Sequence, residues 1–171
     1  MIKYHKKSLF KIFTSLFLVI YTFVPPFASI SQIFAGNESV SIEQYANVWD
    51  DWVTGQIGSN KATYYEGDSV PYRMTFDDLT EDESYEIKFE WDTTKASKHA
   101  IDYLTSFNRT LTTLDPTLDI SGLGSPLTFP IPIDPQVTGA GVSQIPGNFY
   151  IWGGEITGTS SYYYDPAGYT G

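Results

Sequence analysis

The chain has 171 residues, the length of one domain or of one domain with a tail. Hydrophobic residues make up 42% of it and aromatic residues 16%, which excludes an intrinsically disordered chain. Ten basic residues stand against twenty acidic ones, and this excludes nucleic-acid binding because phosphate contacts need clustered lysine and arginine.

Residues 1–35 have the three-part plan of a secretory signal peptide. Four lysines lie before position 12, an apolar run follows from Ile12 to Val24, and prolines and small residues come next. That run is shorter than the roughly 20 residues that span a bilayer as a helix. We predict cleavage after Ala35, with Ala28 as the alternative; an uncleaved N-terminal anchor is the other interpretation. Either way the rest of the chain is exported, so we expect a secreted or cell-surface protein that meets the membrane only through its export signal.

Removal of the leader leaves six basic residues against twenty acidic ones, a net charge of −14. Residues 36–44 are predicted to be a flexible linker, and residues 45–171 to form the folded domain. Strict alternation of apolar and polar residues predicts half-buried strands over 70–76 and 85–91. Pro71 places the first of these at a sheet edge or near its own start, because proline donates no ladder hydrogen bond.

Weaker patterns predict further elements. Shorter strands are expected over 45–54 and 63–65, a strand with a bulge at Gly153-Gly154 over 148–156, and the start of another over 160–164. Apolar residues at a spacing of three or four, with Ser97 as N-cap, predict a short helix over 97–107.

Residues 115–147 hold six prolines and five glycines and predict an extended, irregular segment. We interpret it as packing along a sheet edge; a binding loop is the alternative. The predicted fold is therefore all-β. We expect a mostly antiparallel two-layer β-sandwich, immunoglobulin-like or jelly-roll-like, with one short helix and a long proline-rich loop.

Few residues suggest catalysis or metal binding. The chain has no cysteine, and the mature part has a single histidine, His99, so a zinc site of the usual kind cannot form and no cofactor is expected. Asp77, Asp78 and Asp82 form a weak candidate calcium site, which we weigh against a solvated acidic turn. His99 and Asp102 could pair as a base and its orienting group, but no nucleophile motif accompanies them, and surface polar residues explain them better.

Tryptophans offer the most attractive candidate ligand site. Trp49, Trp52 and Trp152 could form a platform on which sugar rings stack, with core packing as the alternative for each. Trp49 and Trp52 are three residues apart and would point to opposite faces of a strand, so one of them is expected to be exposed.

Several motifs together resemble an uncharacterised N-terminal domain of large secreted bacterial surface proteins, in which immunoglobulin-like modules often follow. The motifs are Tyr65-Glu66-Gly67-Asp68-Ser69-Val70-Pro71-Tyr72-Arg73, Glu90-Trp91-Asp92-Thr93-Thr94-Lys95, residues 98–110 (KHAIDYLTSFNRT), Thr128-Phe129-Pro130-Ile131-Pro132 and Trp152-Gly153-Gly154. The resemblance implies export, a mostly β domain and a place in a multidomain surface protein, but no activity. In that pattern further strands follow Trp-Gly-Gly, so we expect the sequence to be a fragment, truncated at its C-terminus.

Three functional hypotheses follow. The first is a non-enzymatic extracellular module, structural or adhesive, whose partners are surface glycans or other surface domains. The second is a carbohydrate-binding module that uses exposed aromatic residues. The third is an extracellular hydrolase with paired carboxylates, for which no pair of residues stands out.

Overall fold

A computed structural model describes residues 2–4, 10–17, 38–95 and 98–164, with backbone only for 2–4, 10–17, 95, 98 and 99. The described chain is mostly antiparallel β-structure, which confirms the all-β class. Its strands are β1 (Ile2–Tyr4), β2 (Phe10–Phe17), β3 (Ser39–Ala46), β4 (Asp51–Thr54), β5 (Ser69–Asp77), β6 (Ser84–Tyr85), β7 (Thr94–Lys95), β8 (Lys98–His99), β9 (Leu104–Thr105), β10 (Leu127–Pro130), β11 (Asn148–Trp152) and β12 (Gly154–Ile156). One short helix, α1 (Pro135–Gly139), accompanies them.

The main sheet has the strand order β10-β11-β2-β5-β3-β4, with β9 paired to β2 beyond the end of β11. A three-stranded sheet in the order β12-β1-β6 and the small pair β7-β8 complete the described strands. Strand β5 lies near the centre of the main sheet, and its residues Ser69 to Phe76 are all buried. The predicted strand over 70–76 is therefore confirmed, but it is buried on both faces rather than one.

Pro71 is the register partner of Ser15 in β2, and on the other side of β5 it lies just past the end of the ladder with β3. Strand β3 pairs with β5 only as far as Tyr72, so Pro71 lies one residue beyond that ladder and third from the start of its strand. Proline at the start of a strand was one of the two predicted placements, and β5 is not an edge strand.

Alternation along β5 divides the interior into two hydrophobic clusters. Tyr72, Met74 and Phe76 lie on one face of the sheet, and Arg73 lies on the other. On the first face is the large core, formed by Ala46, Ile57, Ala62, Val70, Tyr72, Met74, Phe76, Ile101, Leu104, Ile131, Phe149 and Ile151. On the opposite face is the small core, formed by Tyr45, Trp52, Phe107 and Trp152.

Strands β3 and β4 form a hairpin that corrects two predictions. Strand β3 begins at Ser39, so most of the predicted flexible linker 36–44 is paired with β5. Val40 and Ile42 alternate with polar residues and pack against the large core, which is a strand pattern. The predicted single strand over 45–54 is interrupted by a turn at residues 47–50.

The predicted helix over 97–107 is wrong. His99 ends one strand, Leu104–Thr105 form another, and residues 107–108 lie in a turn. The apolar residues that suggested a helix face are indeed buried, but Ile101 and Thr105 between them are buried as well. Burial of these intervening positions is incompatible with a half-exposed helix. Ser97, the predicted N-cap, lies outside the described residues.

The predicted strand over 85–91 is only partly formed. Ser84–Tyr85 is a two-residue strand, and residues 86–92 lack ladder pairing. The expected alternation in burial is nevertheless visible: Ile87 and Phe89 pack against the large core, while Glu86 and Lys88 are exposed. Phe89 stacks on Phe149 of β11, with their ring centroids 5.8 Å apart.

The predicted bulged strand over 148–156 is confirmed. Strands β11 and β12 are separated by Gly153, whose φ of 76° is the left-handed conformation that favours glycine at a bulge. The predicted strands over 63–65 and 160–164 are wrong, since neither segment forms a strand. The segment 115–147 lies at a sheet edge as predicted, through strand β10. The prediction that it is irregular is wrong for β10 and for α1.

Part of the predicted signal peptide is paired within the sheets. Strand β2 lies between β5 and β11, and β1 pairs with β12 and β6. Cleavage at Ala35 or Ala28 falls outside the described residues and stays a prediction. No helix in the described ranges has the length and apolar character needed to span a bilayer.

Candidate functional site

The turn between β3 and β4 carries the most exposed tryptophan among the described residues. The backbone carbonyl of Ala46 accepts hydrogen bonds from the N–H groups of Trp49 (2.9 Å) and Asp50 (2.8 Å), which closes the turn. Asp50 has a φ of 58°, a left-handed conformation that aspartate tolerates. Its carboxylate also accepts a hydrogen bond from the Tyr45 hydroxyl. The turn is therefore stabilised by backbone hydrogen bonds and by the side-chain hydrogen bond between Tyr45 and Asp50.

A neighbouring segment braces the turn. The Val48 N–H donates to the Lys61 carbonyl at 3.0 Å. The Asn47 side chain makes two hydrogen bonds of 2.7 Å with the backbone of Thr63, one to its carbonyl and one from its N–H. These contacts fix residues 61–63 beside the turn.

Two large apolar side chains project from this frame. Val48 is 56% exposed and Trp49 is 51% exposed. The Lys61 ammonium lies 4.9 Å from the centre of the Trp49 ring, within the range of a cation–π interaction. We call Val48, Trp49 and Lys61 the turn patch. It presents an apolar surface with one positive charge on an otherwise strongly acidic chain.

The other two candidate tryptophans lie inside the protein. Trp52 is 5% exposed and Trp152 is 6% exposed, and both belong to the small core. The Trp52 ring packs edge-on against Tyr45 at 5.3 Å, and its indole N–H donates to the Asp115 carbonyl at 3.2 Å. A buried ring cannot stack on a sugar, so both have the packing role that was the alternative, and Trp49 alone of the three offers a surface.

Arg73 packs against the small core and makes several hydrogen bonds. Its Nε donates to the Glu43 carboxylate at 2.6 Å, and its Nη1 donates to the Leu118 carbonyl at 2.8 Å. Its guanidinium lies 4.8 Å from the centre of the Trp52 ring. Arg73 therefore ties the irregular segment 111–123 to the sheet, which is a structural role.

The weak calcium candidates are not brought together as a site. Asp78 and Asp82 have φ values of 57° and 60°, so both serve as left-handed turn residues, and Asp77 ends β5 in an exposed position. Across the described ranges, no group of three or more histidine, cysteine, aspartate or glutamate side chains could hold a metal ion.

The predicted His99–Asp102 pair does not lie on a helix. The backbone of His99 pairs with Thr94 in β8 and β7, and Asp102 follows in an irregular segment with a partly buried side chain. The helical spacing that suggested a pair is therefore absent.

Burial changes the acidity of several tyrosines near these sites. Burial and the hydrogen bond to Asp50 raise the pKa of Tyr45 to about 12. Burial also raises the pKa of Tyr64, whose hydroxyl donates to the Tyr45 carbonyl at 2.8 Å. The tyrosines that frame the turn patch thus stay neutral hydrogen-bond donors at physiological pH.

Trp49 was predicted from the sequence as a candidate binding residue, whereas Val48 and Lys61 were not. A usable signal existed, since Lys61 is the only basic residue between Glu38 and Tyr72.

Comparison with protein-family models, curated proteins and solved structures found no match to this chain.

Proposed function

We propose that the protein is a non-catalytic extracellular module, structural or adhesive, that contacts a partner surface through the turn patch. The observation that carries this proposal is the exposure of Val48 and Trp49 on a turn held by hydrogen bonds at both ends. A pre-ordered aromatic side chain loses little conformational entropy when it is covered, which favours tryptophan as a binding anchor.

The extracellular assignment is supported by the order of charge, apolar run and small residues at the N-terminus. The acidic chain, with a net charge of −14 after removal of the leader, suits a soluble surface domain. The resemblance to N-terminal domains of secreted bacterial surface proteins points the same way.

We further propose that the fold is a two-layer β-sandwich. The support is the segment 85–91, whose Ile87, Phe89 and Trp91 lie against the large core. This segment, together with β6 and β12, would form a second layer over the main sheet.

The turn patch can be tested with the Trp49→Ala substitution. We expect the free energy of unfolding to change by less than about 0.5 kcal/mol, because the residue is exposed. Binding to an array of immobilised extracellular matrix proteins and glycans should be lost. The matched control is Tyr65→Ala, since Tyr65 is 71% exposed but lies outside the patch. Equal binding by both variants and the parent chain would refute the proposal.

Carbohydrate binding is the second candidate, and the exposed Trp49 ring is the observation that favours it. Sugar stacking predicts binding confined to the glycans of the array, blocked by free sugar and insensitive to Lys61→Met. Binding to matrix proteins that weakens on Lys61→Met would instead favour protein adhesion, because the lysine charge then contributes to the contact.

Export can be tested separately by fusing residues 1–36 to an alkaline phosphatase that lacks its own signal. The fusion should be active only outside the cytoplasm, and N-terminal sequencing should begin at Gly36. A wholly cytoplasmic fusion would contradict the extracellular assignment.

A further inference from the structure

Strand β2, which belongs to the predicted signal peptide, lies in the interior of the main sheet with paired strands on both sides. Strand β2 pairs with β5 along all of its length, Phe10 opposite Phe76 and Phe17 opposite Ser69. On its other side it pairs with β11 from Lys11 to Phe13 and with β9 at Ser15 and Leu16. We call the position between these strands the central slot.

The central slot lies between two strands, β5 and β11, that both contribute residues to the large core. The residue at its third position, Ile12, has Met74 and Ile151 as its Cα partners on the two sides. Met74 is fully buried and Ile151 is 1% exposed. An antiparallel register places all three positions on one face of the sheet, so an apolar residue belongs there.

The segment in the slot is also the one that export with cleavage would remove. Phe10–Phe17 overlaps the apolar run of the predicted signal peptide, upstream of both candidate cleavage sites. Its departure would leave the backbone of β5 unpaired on one side and β11 unpaired on the other. Unpaired backbone groups beside a hydrophobic core are costly, and such an edge is a template for another strand.

We propose that the mature protein is a strand acceptor, whose central slot binds an extended segment of a partner polypeptide by β-strand addition. This inference rests on the predicted cleavage of the leader, but not on the turn patch. The register defines the partner: about eight residues, antiparallel to both β5 and β11, with apolar residues opposite Phe76, Met74 and Val70.

The described strands that follow the leader do not supply the partner strand. Strands β3, β4, β10 and β11 are paired in the main sheet, and β12 and β6 belong to the three-stranded sheet. Moving β3, β4, β10 or β11 into the slot would open an equal gap elsewhere. Strands β6 and β12 lose their partner β1 with the leader, but they have two and three residues and are too short to fill the position of the eight-residue β2.

The first test asks whether the slot exists in the uncleaved chain. The chain has no cysteine, so a Lys11→Cys, Thr75→Cys pair at register partners can report their proximity. We expect a disulfide to form in the folded double variant under mild oxidation. The mismatched pair Lys11→Cys, Ser69→Cys should stay reduced, since Ser69 is the partner of Phe17. Equal oxidation of both pairs, or of neither, would overturn the proposal.

The second test opens the slot. A protease site placed at Ala28–Ala35 of the full chain allows the leader to be cut after folding. The cut leader is then separated from the rest of the chain in urea, and the chain is refolded without it. A labelled synthetic peptide of residues 10–17, carrying lysines at one end for solubility, should then bind at a ratio of one to one and raise the melting temperature. The same peptide with Ile12→Pro should bind at least tenfold more weakly, because proline removes a donor at a position paired on both sides.

Two outcomes contradict strand acceptance from a partner. If the cut chain keeps its melting temperature and binds neither peptide, the slot closes by itself and offers no site. If the cut chain forms dimers that exclude the peptide, the occupant is a second copy and not a different partner. Trp49→Ala should leave peptide binding unchanged, so failure of the turn patch and failure of the slot give different results.

Discussion

At the scale of single residues, Gly147 lies too close to neighbouring backbone to accept a side chain. A Cβ atom built there would lie 2.3 Å from the Ser106 backbone nitrogen and 2.6 Å from the Thr105 carbonyl carbon. Both atoms belong to the backbone and cannot rotate away. We therefore expect Gly147→Ala to lower the free energy of unfolding by at least about 2 kcal/mol, measured by urea denaturation.

Gly124→Ala is the matched control, because a Cβ there meets nothing within 4 Å. It should leave the stability of the protein unchanged or slightly increased. Equal stability of the two variants would show that β11 and the segment after β9 do not approach each other as described.

Arg73 and Lys88 allow buried and exposed ion pairs to be compared in one chain. Arg73→Met leaves the Glu43 carboxylate without its partner in a mostly buried site, and should cost about 3 kcal/mol. Lys88→Met removes the exposed pair with Glu90 and should cost less than about 0.5 kcal/mol. Urea denaturation of both variants measures the contrast, and similar costs would contradict the assigned role of Arg73.

Tyrosine ionisation should limit stability at high pH. The pKa of Tyr45 is raised from its ordinary value of 10 to about 12, so the unfolded chain loses this proton at a lower pH than the folded chain. Stability is therefore expected to be unaffected by this group below pH 10 and to fall between pH 10 and 12. Thermal denaturation against pH should show a smaller fall for Tyr45→Phe, and an identical fall would contradict the assignment.

At the scale of elements, α1 depends on Asp134. Its buried carboxylate accepts hydrogen bonds from the N–H groups of Gln136 (2.9 Å) and Val137 (3.4 Å), which caps the helix. It also accepts one from the Tyr164 hydroxyl at 2.5 Å, and so holds the end of the described chain.

Asp134→Ala should therefore cost about 1–2 kcal/mol, measured by thermal denaturation. It should also increase proteolysis after Tyr164, because the tail loses an anchor. Asp134→Asn keeps an acceptor oxygen and should lose less stability. Equal losses for the two variants would indicate that the cap is not what stabilises this element.

Strict alternation correctly predicted the strand at 70–76, but at 85–91 only Tyr85 lies in a strand. The weaker pattern at 148–156, with its two glycines, correctly predicted a bulged strand. The segment 98–107 contains enough buried apolar residues to mimic a helix face, although tertiary packing keeps it extended. The spacing of apolar residues along the sequence does not show whether the residues between them, here Ile101 and Thr105, are also buried by the rest of the protein.

The exposure of the candidate tryptophans could also be predicted only in part from the local sequence. Trp49 and Trp52 were correctly distinguished as differing in exposure, but the reason is a turn between them rather than the two faces of one strand. Trp152 is buried because the segment 107–123 covers its face of the sheet. Such long-range cover cannot be seen in the sequence around Trp152.

At the scale of the whole molecule, the central slot connects the two halves of the fold. Strands β3, β4 and β5 lie on one side of it and β10 and β11 on the other. Stability and strand acceptance both depend on whether β5 has neighbours on its two sides.

Residue-resolved amide hydrogen exchange of the full chain measures this most directly. Along a strand, successive N–H groups point to opposite neighbours, so a strand paired on both sides protects consecutive amides. We expect slow exchange at Tyr72, Arg73, Met74, Thr75 and Phe76 alike, slower than in the edge strands β4 and β10. Slow exchange at only every second of these residues would show that β5 has one neighbour and that the central slot does not exist.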